Sequence, residues 1–129
     1  MTPAFAFAAS FLVTLVLLGV VAWSGARGKR RVHVPAVVLA YAALGVTIWC
    51  AYALGETLDL GSAGAITPIH LTIARVATLA LVLASAFGAR TLFRAETRRT
   101  HGRLAWTALA IVVLAAITGL VMVALAEPR

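Results

Sequence analysis

The chain has 129 residues, 63% of them hydrophobic, with a formal net charge of +7 and a mean hydropathy of +1.03. That apolar share excludes an ordinary soluble domain. The single cysteine, Cys50, excludes an intramolecular disulfide and any Cys-x-x-Cys redox or zinc motif.

Four apolar runs, each near the ~20 residues that cross the hydrocarbon core as a helix, predict four transmembrane spans. The first covers Ala4 to Trp23. No basic segment precedes it and positive charge follows it, so it reads as a retained span rather than a cleaved signal. A short basic loop, Ser24 to Val34, leads to the second span, Pro35 to Leu54, with Pro35 marking the start of its helix. The next connection, Gly55 to Thr67, is Gly-rich and mildly acidic through Glu56 and Asp59. Thr67 and Pro68 form an N-cap and first-turn pair that opens the third span, Pro68 to Phe93. A polar turn around Ala95 to Thr100 follows, and Thr100 is placed to cap the fourth span, Leu104 to Ala126.

Short connections between successive spans predict an all-α, up-down-up-down four-helix transmembrane bundle, a single integral membrane domain over residues 1–129. Nine of the eleven Lys and Arg residues sit in or beside the first and third loops, while the middle loop carries none. By the positive-inside rule those two loops are cytoplasmic and both termini lie on the outer side. Trp23 and Trp106 fall near the inner interface, and Trp49 and Tyr52 near the outer one, as aromatic belts do. These features predict a multi-pass integral membrane protein. Its basic surface meets anionic lipid headgroups rather than nucleic acid.

The second and fourth spans share an opening, Arg30-Arg31-Val32-His33 against Arg98-Arg99-Thr100-His101, a weak trace of a duplicated hairpin. The three histidines of the chain, His33, His70 and His101, stand each at the mouth of a different span. At ~100° per residue, the face of His33 continues through Val37, Ala40, Leu44, Thr47 and Ala51. The His70 face holds Ala74, Ala77, Leu81, Ala84 and Gly88; the His101 face holds Ala105, Ala108, Val112, Ala115 and Gly119. Small residues on membrane helices either let backbones approach or leave room for a flat cofactor.

Histidine is the commonest ligand of haem iron, and two helices can each offer one imidazole. His33 and His101 share the inner end and are placed to ligate one iron, with propionates turned toward Arg30, Arg31, Arg98 or Arg99. His70 lies roughly 25–30 Å away across the bilayer. It would need a second, outer site, for which Met122 and Cys50 are the soft atoms at that depth. Arg75 is the one charge well inside a span. It is a candidate for a propionate or a quinone head group, against snorkelling to the headgroups or pairing with Glu56 or Asp59. The four acids lie outside the spans, which argues against a proton-coupled exporter. No Ser-His-Asp set, phosphate loop or His-Glu-x-x-His motif appears, so an electron carrier or assembly factor is favoured over a catalyst.

The layout resembles a family of small four-helix bacterial membrane proteins, the "domain of unknown function four-twenty" group. The residues that carry the resemblance are His33, His70 with Leu71, His101, and Thr118-Gly119, over about Arg30 to Leu125. It also looks like minimal b-type cytochrome bundles, in which paired histidines on neighbouring helices hold haem b. The resemblance implies a haem-binding protein, with haem b or another haem, that serves the maturation of a haem–copper oxidase or another respiratory complex. The rival expectation is a cofactor-free accessory subunit of a larger membrane complex, with its small-residue stripes as packing seams. A small transporter ranks last.

Overall fold

A computed structural model describes residues 2–129. Four long helices dominate it: α1 Pro3–Ala26, α2 Arg30–Gly55, α3 Ile66–Arg90 and α4 Arg98–Leu125. Each is long and apolar enough to cross a membrane, the architecture of a multi-pass membrane protein. A short 3-10 turn, Ala95–Thr97, precedes α4. Two two-residue strands, β1 Leu58–Asp59 and β2 Glu127–Pro128, pair with each other.

The helix ends depart from the hydropathy reading in instructive ways. Thr2 caps α1, its hydroxyl accepting the Phe5 N–H at 3.3 Å, and Pro3 takes the first helical position, where no donor is needed. Pro35, expected to start α2, is instead its sixth residue. Its missing N–H forfeits the bond to the Arg31 carbonyl, which lies in the polar first turn where water can reach it. The turn is held instead by the Val32 and His33 N–H groups, which both donate to the Lys29 carbonyl at 3.0 and 2.9 Å. Thr67 is not a cap: α3 starts at Ile66, and the Thr67 hydroxyl donates to the Leu60 carbonyl at 2.5 Å. Pro68 then falls third, still among the first-turn positions whose N–H has no helical partner. Thr100 likewise lies within α4, which begins at Arg98 after Thr97.

The chain divides into two compact units. One holds the residues up to Leu58 with Pro128–Arg129, and the other Asp59–Glu127. Each is an antiparallel helical hairpin. In the first, α1 turns into α2 through Arg27–Lys29, where Gly28 adopts a φ of +64° and the Lys29 N–H closes on the Ser24 carbonyl at 2.8 Å. The second joins α3 to α4 through residues 91–97.

The seam of each hairpin is built mainly from small or hydroxylated side chains, with one large apolar residue in each. Thr14, Ser24, Ala36, Ala40, Thr47 and Leu54 are buried in the first; Ala77, Ala84, Ala108 and Met122 in the second. Between helices in lipid there is no hydrophobic drive, so close backbone approach at small residues supplies the attraction. The large apolar side chains, such as Leu12, Val38, Leu79 and Ile117, face outward. Polar atoms in the seams are matched: the Thr14 and Thr47 hydroxyls meet at 2.9 Å, and each also bonds its own helix. Among the described residues no buried side-chain nitrogen or oxygen lacks a partner, as a low-dielectric surround demands.

The two hairpins repeat one another. His33 and His101 are each the fourth residue of the second helix in their hairpin. Seven residues on, Ala40 and Ala108 are both buried; twenty-one on, so are Leu54 and Met122. The shared Arg-Arg-x-His opening is thus the start of a correspondence that runs the length of the helix.

Candidate functional site

All three histidines point into a hairpin seam, and all three rings rest on a glycine of the facing helix. A Cβ placed on Gly25 would stand 3.0 Å from Cε1 of His33; on Gly88, 2.9 Å from that of His101; on Gly119, 2.8 Å from that of His70. At Gly88 and Gly119 that is closer than real Cβ contacts come, so any larger residue would force the ring to move, and at Gly25 the fit is tight enough that the ring would have to give. The small-residue stripes read from the sequence are therefore the seams themselves. In the second hairpin they are reciprocal. Gly88 closes the His70 stripe and seats His101, while Gly119 closes the His101 stripe and seats His70.

The polar contacts of the rings repeat too. Nδ1 of His33 lies 3.0 Å from the Val21 carbonyl, and Nδ1 of His101 lies 3.0 Å from the Ala84 carbonyl. Val21 and Ala84 each precede the seating glycine by one helical turn. A carbonyl only accepts, so Nδ1 carries the hydrogen in both rings and, in the neutral imidazole, the lone pair is on Nε2. His70 follows the pattern with the Ala115 backbone, again one turn before its glycine. Hydroxyls support two of the seats. Ser24 Oγ is 3.2 Å from Nδ1 of His33, and its own hydrogen goes to the Val21 carbonyl at 3.2 Å. Thr118 Oγ1 is 3.2 Å from Nδ1 of His70 and donates to Leu114 and Ala115 at 2.9 and 3.1 Å. Phe87 stands where the third hydroxyl would be.

The other expected site residues fall into place around these seats. Arg30 and Arg31 are the first two residues of α2, and Arg98 and Arg99 the first two of α4; all four are exposed. A helix N-terminus carries partial positive charge, so a cation pair there is held against the local field. Arg75 lies on the exposed side of α3, away from the seam marked by Ala77 and Ala84. Met122 is buried one turn beyond Gly119, and Cys50 is half-buried on α2. Among the described residues, no three of His, Cys, Asp and Glu gather into a group that could hold a metal ion by themselves.

Sequence reasoning missed the glycines under the rings. A signal was available: His70 to Gly88 and His101 to Gly119 are both separations of 18 residues, five whole helical turns. Two helices with that spacing, packed antiparallel, bring each histidine opposite the other's glycine. The first hairpin keeps the spacing with other residues, Phe7 to Gly25 and His33 to Ala51, and so has one seat instead of two.

No family model, no curated protein and no solved structure matches this chain.

Proposed function

We propose that this chain is a haem-binding integral membrane protein of the bacterial cytoplasmic membrane that supports the assembly or electron transfer of a respiratory oxidase. The observation that supports this reading is the fixed Nδ1–H of each histidine. Metal-bound histidines characteristically donate one ring N–H to a carbonyl or hydroxyl, which sets the tautomer, orients the ring and raises the basicity of the other nitrogen. His33 and His101 meet that requirement, so the donor chemistry fits haem iron. The arginine pairs at the starts of α2 and α4 suit propionates, which would relieve cations placed at the unfavourable helix end. Bound there, haem supplies a one-electron couple. His70, set on Thr118 and Gly119, belongs to a second site or to a partner contact.

One observation favours a second reading. Each ring lies against the backbone of its own hairpin, so the same Nδ1–H bond also pins two helices together with no cofactor present. On that reading the protein is an accessory subunit of a larger membrane complex, and its histidines are interhelical clasps.

The deciding measurement is a visible spectrum of the detergent-purified protein, oxidised and then reduced with dithionite. A Soret band with sharp reduced α and β bands is expected, and its loss in both His33→Ala and His101→Ala with helicity retained. A featureless spectrum that added haem does not change would hand the case to the accessory subunit.

A further inference from the structure

We propose that the cleft at the end of α3, lined by Arg90, Phe93, Arg94 and Thr97, is a binding site for the phosphate headgroup of an anionic phospholipid. The proposal does not rest on the haem reading, since none of these residues belongs to the histidine seats.

The cleft is made by the way the chain leaves α3. The Leu92 N–H donates to the Ala89 carbonyl at 3.1 Å, that of Phe93 to Arg90 at 3.1 Å, and that of Arg94 to Arg90 at 2.9 Å. The backbone thus stays coiled for another turn, which brings Arg90 and Arg94 into the i, i+4 relation on one side. Arg94 then takes an extended conformation, φ −134° and ψ 99°, and the chain turns into the Ala95–Thr97 segment. The Thr97 N–H and hydroxyl both close on the Arg94 carbonyl, at 3.2 and 2.8 Å. The result is a tied loop around an open cleft of about 290 Å³.

It is lined by two arginines, a phenylalanine and a threonine whose hydroxyl hydrogen is already committed to the Arg94 carbonyl. Guanidinium N–H groups match the paired oxygens of a phosphate, and two of them can hold it from both sides. Arg90 is already steadied, with its guanidinium 5.7 Å above the Phe87 ring. The phenyl decides between sources of phosphate. Phe93 is 89% exposed, more than any other large apolar side chain described, and Leu92 beside it is exposed as well. A free phosphate ion gains nothing from them. A phospholipid does: the ring enters the acyl boundary while the guanidinium groups stay at headgroup level. The cleft lies at the basic end of the hairpin, the side that faces the anionic cytoplasmic leaflet under the positive-inside rule.

The test is native mass spectrometry of the full chain released from nanodiscs of mixed phosphatidylglycerol and phosphatidylcholine. The protein should carry phosphatidylglycerol selectively. Arg90→Gln with Arg94→Gln should lower that retention roughly tenfold. Arg27→Gln with Arg103→Gln, which removes the same charge elsewhere, should leave it unchanged. Phe93→Ser, a milder change to the fold, should weaken lipid retention on its own. Equal losses in the two double variants would reduce the effect to diffuse surface charge and overturn the site. Full displacement of the lipid by excess inorganic phosphate, with Phe93→Ser indistinguishable from the parent, would overturn the lipid as its occupant.

Discussion

A glycine that seats an imidazole behaves differently from one that merely lies in a helix, and this chain contains both kinds. An alanine at Gly119 or Gly88 puts a methyl within 3.0 Å of a histidine ring and must expel it. Overpacking of this sort costs about 1–3 kcal/mol. At Gly19 and Gly45 a methyl would have nothing within 4 Å, so alanine there only improves helix propensity, by up to about 1 kcal/mol. Thermal unfolding in detergent should therefore fall for Gly119→Ala and Gly88→Ala and hold or rise for Gly19→Ala and Gly45→Ala. Uniform behaviour of all four would mean that the rings do not occupy these seats. If haem is bound, Gly88→Ala should also lower its retention, because the His101 ring that supplies Nε2 is displaced with its Nδ1 anchor.

Among the helices, α2 carries the clearest internal conflict. Pro35 sits past the first turn, where it removes one backbone bond and crowds the carbonyl of Arg31. Pro35→Ala should stabilise the first turn of α2 by about 1–3 kcal/mol and slow amide exchange at residues following Arg31. An unchanged exchange pattern would show that the turn is not limited by the proline. The Thr14–Thr47 contact is the opposite case, a hydroxyl pair that holds α1 to α2. Interhelical hydrogen bonds in membranes couple by about 0.6 kcal/mol on average, so a double-mutant cycle with Thr14→Ala and Thr47→Ala should return a coupling of that order. The second hairpin does without the pair, having Ala77 and Ala115 at the corresponding places, so the double variant should still fold.

What the amino-acid order reveals at this scale follows from what lipid selects. The four spans were legible because apolar length is the dominant signal in a membrane. Their ends were not: the runs begin at Pro35 and Leu104, whereas α2 and α4 begin at Arg30 and Arg98. Those first turns are polar, and backbone hydrogen bonding carries a helix beyond the hydrocarbon edge without changing the hydropathy. The small-residue stripes below His33, His70 and His101 were legible for the same reason as the spans. Which glycine each ring meets was not, because that depends on the register of two helices rather than on one.

For the whole molecule, the charge distribution makes the strongest claim. The first and third loops hold the basic clusters and the middle loop holds Glu56 and Asp59. With Cys50 replaced by serine, a cysteine at Ser62 should react with a membrane-impermeant maleimide in intact cells, and one at Thr97 only after permeabilisation. The reverse pattern would invert the proposed topology and move the arginine-lined cleft to the outer face.

The paired seats of the second hairpin also work as a two-point gauge. His70 on Gly119 and His101 on Gly88 are separated by five turns, about 27 Å along the helices. One contact alone would tolerate a slip or a rotation about itself; two at that distance do not. A single residue inserted between His101 and Gly119 would rotate one end of α4 by ~100° against the other. The hairpin would then satisfy either seat but never both. The first hairpin, with Phe7 and Ala51 at the second position, pairs its one seat with the weaker Thr14–Thr47 hydroxyl contact instead, so an insertion after His33 should cost it less than the same insertion costs the second.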